Sequence, residues 1–179
     1  LEEKFGEASL LAREAGFDAV DIKACHGYLL MELLSAYQRP GLYGGSFENR
    51  TRLLRNGIAA AKVHENGNFL VTARIGIYDG FAWPHGFGVK EGKGAEPDME
   101  EPIRLVRELH EEYGLPMVNL TMGNPYVNTH VTRPFDGGQY IPDEHPLFGV
   151  ASIINGIGKV KKAVPDMFIS ASGPSYPRQ

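Results

Sequence analysis

Four short apolar runs, each separated from the next by an amphipathic segment, limit what this chain can fold into. The runs are Phe17–Ile22, Phe69–Ile77, Pro116–Thr121 and Met167–Ala171. The Phe69–Ile77 run is apolar almost throughout, interrupted by Thr72 and Arg74, as expected of a strand covered on both faces. Ahead of the first run, Leu1, Phe5, Ala8, Leu11, Ala12 and Ala15 recur at three- and four-residue spacing with Glu and Lys between them. That period predicts a helix over Leu1–Ala15, stopped by Gly16. Further helices are expected over Tyr28–Leu34 and over Glu48–His64, the latter with Ser46 as its N-cap. Two more are expected over Glu100–Tyr113, with Pro102 in the first turn, and over Leu147–Ala163, where Gly156 and Gly158 weaken the pattern. The order is α-β-α-β-α-β-α-β with no hairpin signal, which requires a parallel sheet with right-handed crossovers.

The loops narrow the architecture. Those that follow strands are long and chemically varied, as over Tyr78–Pro97 and Gly123–His145, while those that follow helices are two or three residues. That asymmetry belongs to (β/α)8 barrels, whose sites are built from the loops after the strands. Four strands make half of such a TIM barrel, so the expected fold is a partial α/β barrel of four βα units, with residues 1–179 as a single domain. A doubly wound open sheet is the alternative. It is disfavoured because no Gly-rich fingerprint follows a strand and opens a helix. The chain begins at Leu1, inside a helical pattern and without a methionine, so it reads as a piece of a larger protein.

Composition excludes little, but it does exclude some partners. Eighteen Lys and Arg against 22 Asp and Glu give a net charge of −4, which offers no surface for nucleic acid or anionic membrane. No apolar run approaches the roughly 18 residues a membrane span needs. The single Cys25 fits a reducing, cytoplasmic setting. A small-molecule substrate is the expected partner, and self-association is left open.

The candidate chemistry clusters just past the first run. Lys23, Cys25, His26 and Tyr28 lie within six residues at a strand's C-terminal end, where parallel α/β folds place their sites. His26 and Tyr28 could donate to a carbonyl oxygen or deliver a proton, or else His26 caps a helix and Tyr28 packs in the core. Lys23 could act as a charge or as an imine-forming amine if burial lowers its pKa, or else it is a solvated strand end or an ion-pair partner of Asp21. Arg74, alone in an apolar strand, needs an anion or an electron-rich acceptor, with Asp21 as the structural alternative. Ser172-Gly173 after the last run could present backbone N–H groups to a phosphate, or could simply be a tight turn. Cys25 reads as a small buried residue. His85, His130 and His145 match no metal spacing, so no metal is expected.

The chain resembles the old yellow enzyme family of FMN-dependent oxidoreductases. The resemblance rests on Ala15-Gly16-Phe17-Asp18, His26-Gly27-Tyr28-Leu29, Glu32-Leu33-Leu34-Ser35 and Tyr43-Gly44-Gly45-Ser46-Phe47-Glu48-Asn49-Arg50. It implies strands four to seven of an eight-stranded barrel that holds FMN at its C-terminal mouth. It also implies that NADH or NADPH reduces the flavin, and that hydride then passes to an electron-poor alkene. By the same resemblance Tyr28 matches the proton donor and His26 the second member of a pair that binds the substrate carbonyl. Arg74 matches the arginine at the flavin's pyrimidine edge, and Ser172 and Gly173 match part of the phosphate cradle. The first member of the carbonyl pair is usually His and sometimes Tyr; here it is Lys23. Two other readings compete: a Schiff-base lyase using Lys23, and a non-catalytic half-barrel that folds by pairing with another half.

Overall fold

The structure, a computed structural model, describes residues 1–173. Four strands form one sheet: β1 (Ala19–Ala24), β2 (Leu70–Tyr78), β3 (Met117–Met122) and β4 (Phe168–Ala171). They lie in the order β1-β2-β3-β4, and every neighbouring pair is parallel. Each strand therefore sits beside the one that follows it in sequence. A doubly wound sheet reverses its order at a switch point, and this sheet does not. It is the order of a barrel wall.

Helix α1 (Glu2–Glu14) precedes β1, while α2 (Leu29–Leu34) and α3 (Phe47–Lys62) carry the chain to β2. Helix α4 (Glu100–Glu111) joins β2 to β3, and α5 (Thr129–Thr132) with α6 (Pro146–Ala163) joins β3 to β4. The expected strands and long helices are all present, with ends shifted by a residue or two. Helix α5 is an addition, a single turn inside what reads as irregular loop.

Alternation along the strands sorts the sheet into two faces. On one, Ile22 and Ala24, then Val71, Ala73, Ile75 and Ile77, then Val118, Leu120 and Met122 are buried in a single core with residues of α3, α4 and α6. On the other lie Asp21 and Lys23, Thr72 and Arg74, Met117 and Asn119, and Phe168 and Ser170. In a closed barrel this second face is the interior.

Local details fix the frame around the strand ends. Ser46 caps α3 as expected, its hydroxyl accepting the Asn49 N–H at 3.3 Å. Arg50, buried within α3, donates to the carbonyls of Gly45 and Leu34 and pairs with Glu101 of α4. The glycines of α6 do more than weaken it: a Cβ at Gly156 would stand 2.6 Å from the sulfur of Met122, so its absence lets the helix lie against β3. Asp79, just past β2, accepts the N–H groups of Phe81 and Phe87 at 3.1 and 2.9 Å and so organises the long loop that follows.

Candidate functional site

Register brings the inward residues of the four strands into one row. Lys23 pairs with Arg74, Arg74 with Asn119, and Asn119 with Ser170. Arg74 Nη2 donates to Ser172 Oγ at 2.8 Å. No carboxylate lies within ion-pair reach of Arg74 among the described residues, because Asp21 accepts instead from Thr72 Oγ1 at 2.9 Å. The structural alternative for Arg74 is thus not formed. Arg74 Nε, Asn119 Oδ1 and His26 Nε2 are all buried and without a hydrogen-bond partner. Each such group costs about 1–3 kcal/mol if left unmet. Three around one strand-end site describe a place shaped for a ligand with both donors and acceptors.

His26 adopts the left-handed backbone region, with φ of 64°. Burial, and then the charges of Arg74 and Lys23, hold its imidazole below the ordinary histidine range, so it is neutral at physiological pH. Burial pushes the Cys25 thiol up to about 11 despite the same two cations, which leaves it a buried thiol rather than a nucleophile. Lys23 places its ammonium 3.7 Å from the centre of the Tyr28 ring. Tyr28 does not pack into the core: it is 49% exposed at the start of α2.

The turn after β3 meets the turn after β1. Tyr126 Oη lies 2.8 Å from Tyr28 Oη, and either oxygen can be the donor. Asn124, only 5% exposed, ties the two turns together. Its Oδ1 accepts the Tyr126 N–H at 2.8 Å, and its Nδ2 packs where a Cβ on Gly27 would be, 2.7 Å away.

Ser172 and Gly173 close the row at β4, where Gly173 has φ of 100°. The Ser172 N–H donates to Leu120 O at 2.9 Å, so it is taken up by the sheet, and Ser172 offers a ligand its hydroxyl instead. The rest of that turn, Pro174 and Ser175, lies outside the described residues. The loop histidines have local partners: His130 Nδ1 meets Tyr140 Oη at 2.8 Å, and His145 Nδ1 accepts the Leu147 N–H. Among the described residues no group of His, Cys, Asp or Glu could hold a metal ion, and no helix is long and apolar enough to cross a membrane.

Tyr126, Asn124 and Asn119 were not singled out by the sequence reading. A signal for Tyr126 exists. It stands four residues past the end of β3, as Tyr28 stands four past the end of β1.

The sequence profile described as the NADH:flavin oxidoreductase / NADH oxidase family matches residues 1–111. An NADPH dehydrogenase of Bacillus velezensis is 44% identical over 78 residues, which is 42% of this chain and 23% of that protein. One from Clostridium acetobutylicum is 45% identical over 108 residues, 59% of this chain and 29% of the relative. An NADH:flavin oxidoreductase of Gibberella zeae is 32% identical over 125 residues, 69% of this chain and 30% of the relative. The chain thus spans under a third of these curated relatives. Among solved structures, an old yellow enzyme homologue from Zymomonas mobilis superposes with a TM-score of 0.57 at 19% identity, over 98% of this chain and 41% of its own. Morphinone reductase superposes with a TM-score of 0.54 at 17% identity, over 96% of this chain and 44% of its own. These likenesses establish the fold as part of a (β/α)8 barrel.

Proposed function

This chain belongs to the NADH:flavin oxidoreductase / NADH oxidase family, and from that premise we propose that it builds the catalytic mouth of an FMN-dependent oxidoreductase of the old yellow enzyme type. The observation that carries the reading is Arg74: an inward cation with no carboxylate partner among the described residues, its Nε buried and unmet, beside the equally unmet Asn119 Oδ1 and His26 Nε2. Arg74 Nε and Asn119 Oδ1 fit a planar heterocycle that carries an acceptor and a donor along one edge, which leaves His26 Nε2 for the substrate. Arg74 would hold the pyrimidine edge of FMN, with the Ser172 hydroxyl and Gly173 at its phosphate. Bound FMN supplies the redox chemistry, by which hydride from NADH or NADPH reaches an electron-poor alkene.

The remaining work falls to the chain's own side chains. His26, kept neutral by burial and by its two cationic neighbours, can bind a substrate carbonyl oxygen through Nε2. Tyr28, exposed just past the C-terminal end of β1, delivers the proton to the alkene carbon. Lys23 serves as a charge above the Tyr28 ring rather than as a nucleophile. Covalent trapping of a carbonyl substrate on Lys23 by borohydride would refute that assignment.

The decisive experiment is on the full-length parent. The reading requires stoichiometric FMN in its absorption spectrum, and a colourless, flavin-free parent overturns it. In the holoenzyme, Tyr28→Phe should slow the oxidative half-reaction by about a hundredfold, the lower range for loss of a general acid, and by far more than it slows flavin reduction. An unchanged oxidative rate removes Tyr28 as donor.

A further inference from the structure

We propose that Tyr126 is the second member of a proton relay: it re-supplies, from solvent, the proton that Tyr28 gives to substrate. The inference deepens the reading above and rests on Tyr28 as the donor. Three observations carry it. The two phenol oxygens are 2.8 Å apart with either able to donate, which is the geometry a proton needs to pass between them. Tyr126 is 68% exposed against 49% for Tyr28, so it is the more open of the two to water. The contact is also built: Asn124 is buried, holds the Tyr126 N–H, and occupies the space left by the missing side chain of Gly27. Two turns separated by nearly a hundred residues are fitted to each other at the point where the hydroxyls meet.

The O–H bond of Tyr28 breaks, its proton forms a C–H bond at the substrate carbon, and the electron pair stays on the Tyr28 oxygen. The hydride that saturates the neighbouring carbon comes from the nicotinamide cofactor by way of the flavin. In the same step, as negative charge builds on the Tyr28 oxygen, the Tyr126 proton shifts toward it, and water afterwards reprotonates Tyr126. While the Tyr28 oxygen is anionic, the Tyr126 hydroxyl donates to it and the Lys23 ammonium lies 3.7 Å from the ring centre. The hydrogen bond to Tyr28 also holds the Tyr126 hydroxyl above the ordinary phenol range.

The test is Tyr126→Phe in the full-length holoenzyme, a change that removes one exposed oxygen and keeps the ring. The oxidative half-reaction should slow about tenfold to a hundredfold, the scale of one hydrogen bond to a charged group. Its proton inventory in mixed light and heavy water should change from bowed, with two protons in flight, to linear. A readout without turnover accompanies it: in Tyr28→Phe, the phenolate absorbance of Tyr126 should appear at lower pH than in the parent. An unchanged rate with an unchanged inventory in Tyr126→Phe overturns the relay. If Tyr28→Phe itself leaves the oxidative step unchanged, the donor assignment fails instead, and the two failures are thereby told apart.

Discussion

Replacing Gly27 by alanine tests whether the two turns at the mouth are fitted to each other. Gly27 has φ of 68°, where an L-residue is strained by about 1–2 kcal/mol. Its new Cβ would stand 2.7 Å from Asn124 Nδ2, closer than carbon and nitrogen can approach. Asn124 is 5% exposed and its Oδ1 holds the Tyr126 N–H, so it yields only by dropping that bond or by moving the turn. Overpacking of this kind adds about 1–3 kcal/mol, so the whole change should cost about 3 kcal/mol. Gly16→Ala is the matched control. Gly16 has φ of 86° but nothing within 4 Å of a Cβ, so it should lose only the backbone portion. The measurement is the urea midpoint of each variant at constant slope. Combining Gly27→Ala with Asn124→Ala should recover the steric part, so that the double variant loses less than the sum of the two singles. Equal losses for Gly27→Ala and Gly16→Ala, within about 0.5 kcal/mol, refute the fit between the turns. A confirmed fit carries a kinetic corollary: Gly27→Ala pulls Tyr126 from Tyr28 and should slow the oxidative half-reaction much as Tyr126→Phe does.

Arg50→Met should destabilise by about 3 kcal/mol, because it leaves the Gly45 and Leu34 carbonyls and Glu101 without their buried donor. A thermal-unfolding loss below about 1 kcal/mol would show that the Tyr43–Arg50 segment is not held by this arginine. Burial raises the Asp79 carboxyl from the usual range to about 6, against the two backbone N–H bonds that favour its anion. The folded state therefore keeps a proton that the unfolded chain releases above about pH 4, so this contribution is present at lower pH and is lost as pH rises through about 6. By linkage it amounts to about 3 kcal/mol, and Asp79→Asn should remove that slope from the stability–pH curve between about pH 4 and 6. The slope of His26 has the opposite sign, since its lowered range makes stability fall as pH drops below about 6.5, and the difference between parent and Asp79→Asn cancels it. Identical curves would refute the assignment to Asp79.

The wall of the barrel was legible because its strands are written locally. Val71, Ala73, Ile75 and Ile77 form one face by simple alternation, and Arg74 interrupts the other face at the place where a ligand is wanted. Loop chemistry was legible only where it lay beside a strand end, as with His26 and Tyr28. Beyond that, order in the loops comes from side chains that bond backbone groups far from any period: Asp79 holding Phe81 and Phe87, and Asn124 holding Tyr126 against Gly27. Such contacts leave no repeat to read, and so α5 and Asn124 stayed hidden. Asn119 was hidden for a different reason. A lone amide in a short apolar strand becomes informative only when the register puts it beside Arg74.

Register also sets the electrostatics around Lys23. Lys23 and Arg74 are neighbours across β1 and β2, so two cations stand side by side on the inner face. The carboxylate of Asp21 lies one inward position below and is engaged by Thr72. Like charges this close repel, and neither cation has an acidic partner within ion-pair reach among the described residues. The face of Tyr28 relieves one of them, because the aromatic quadrupole accepts the Lys23 ammonium. Arg74 has no comparable relief from the protein: its Nη2 meets only the neutral Ser172 hydroxyl and its Nε meets nothing. The excess positive charge is therefore concentrated at Arg74, and an electron-rich or anionic group bound there would relieve the repulsion and satisfy the orphaned donor at once.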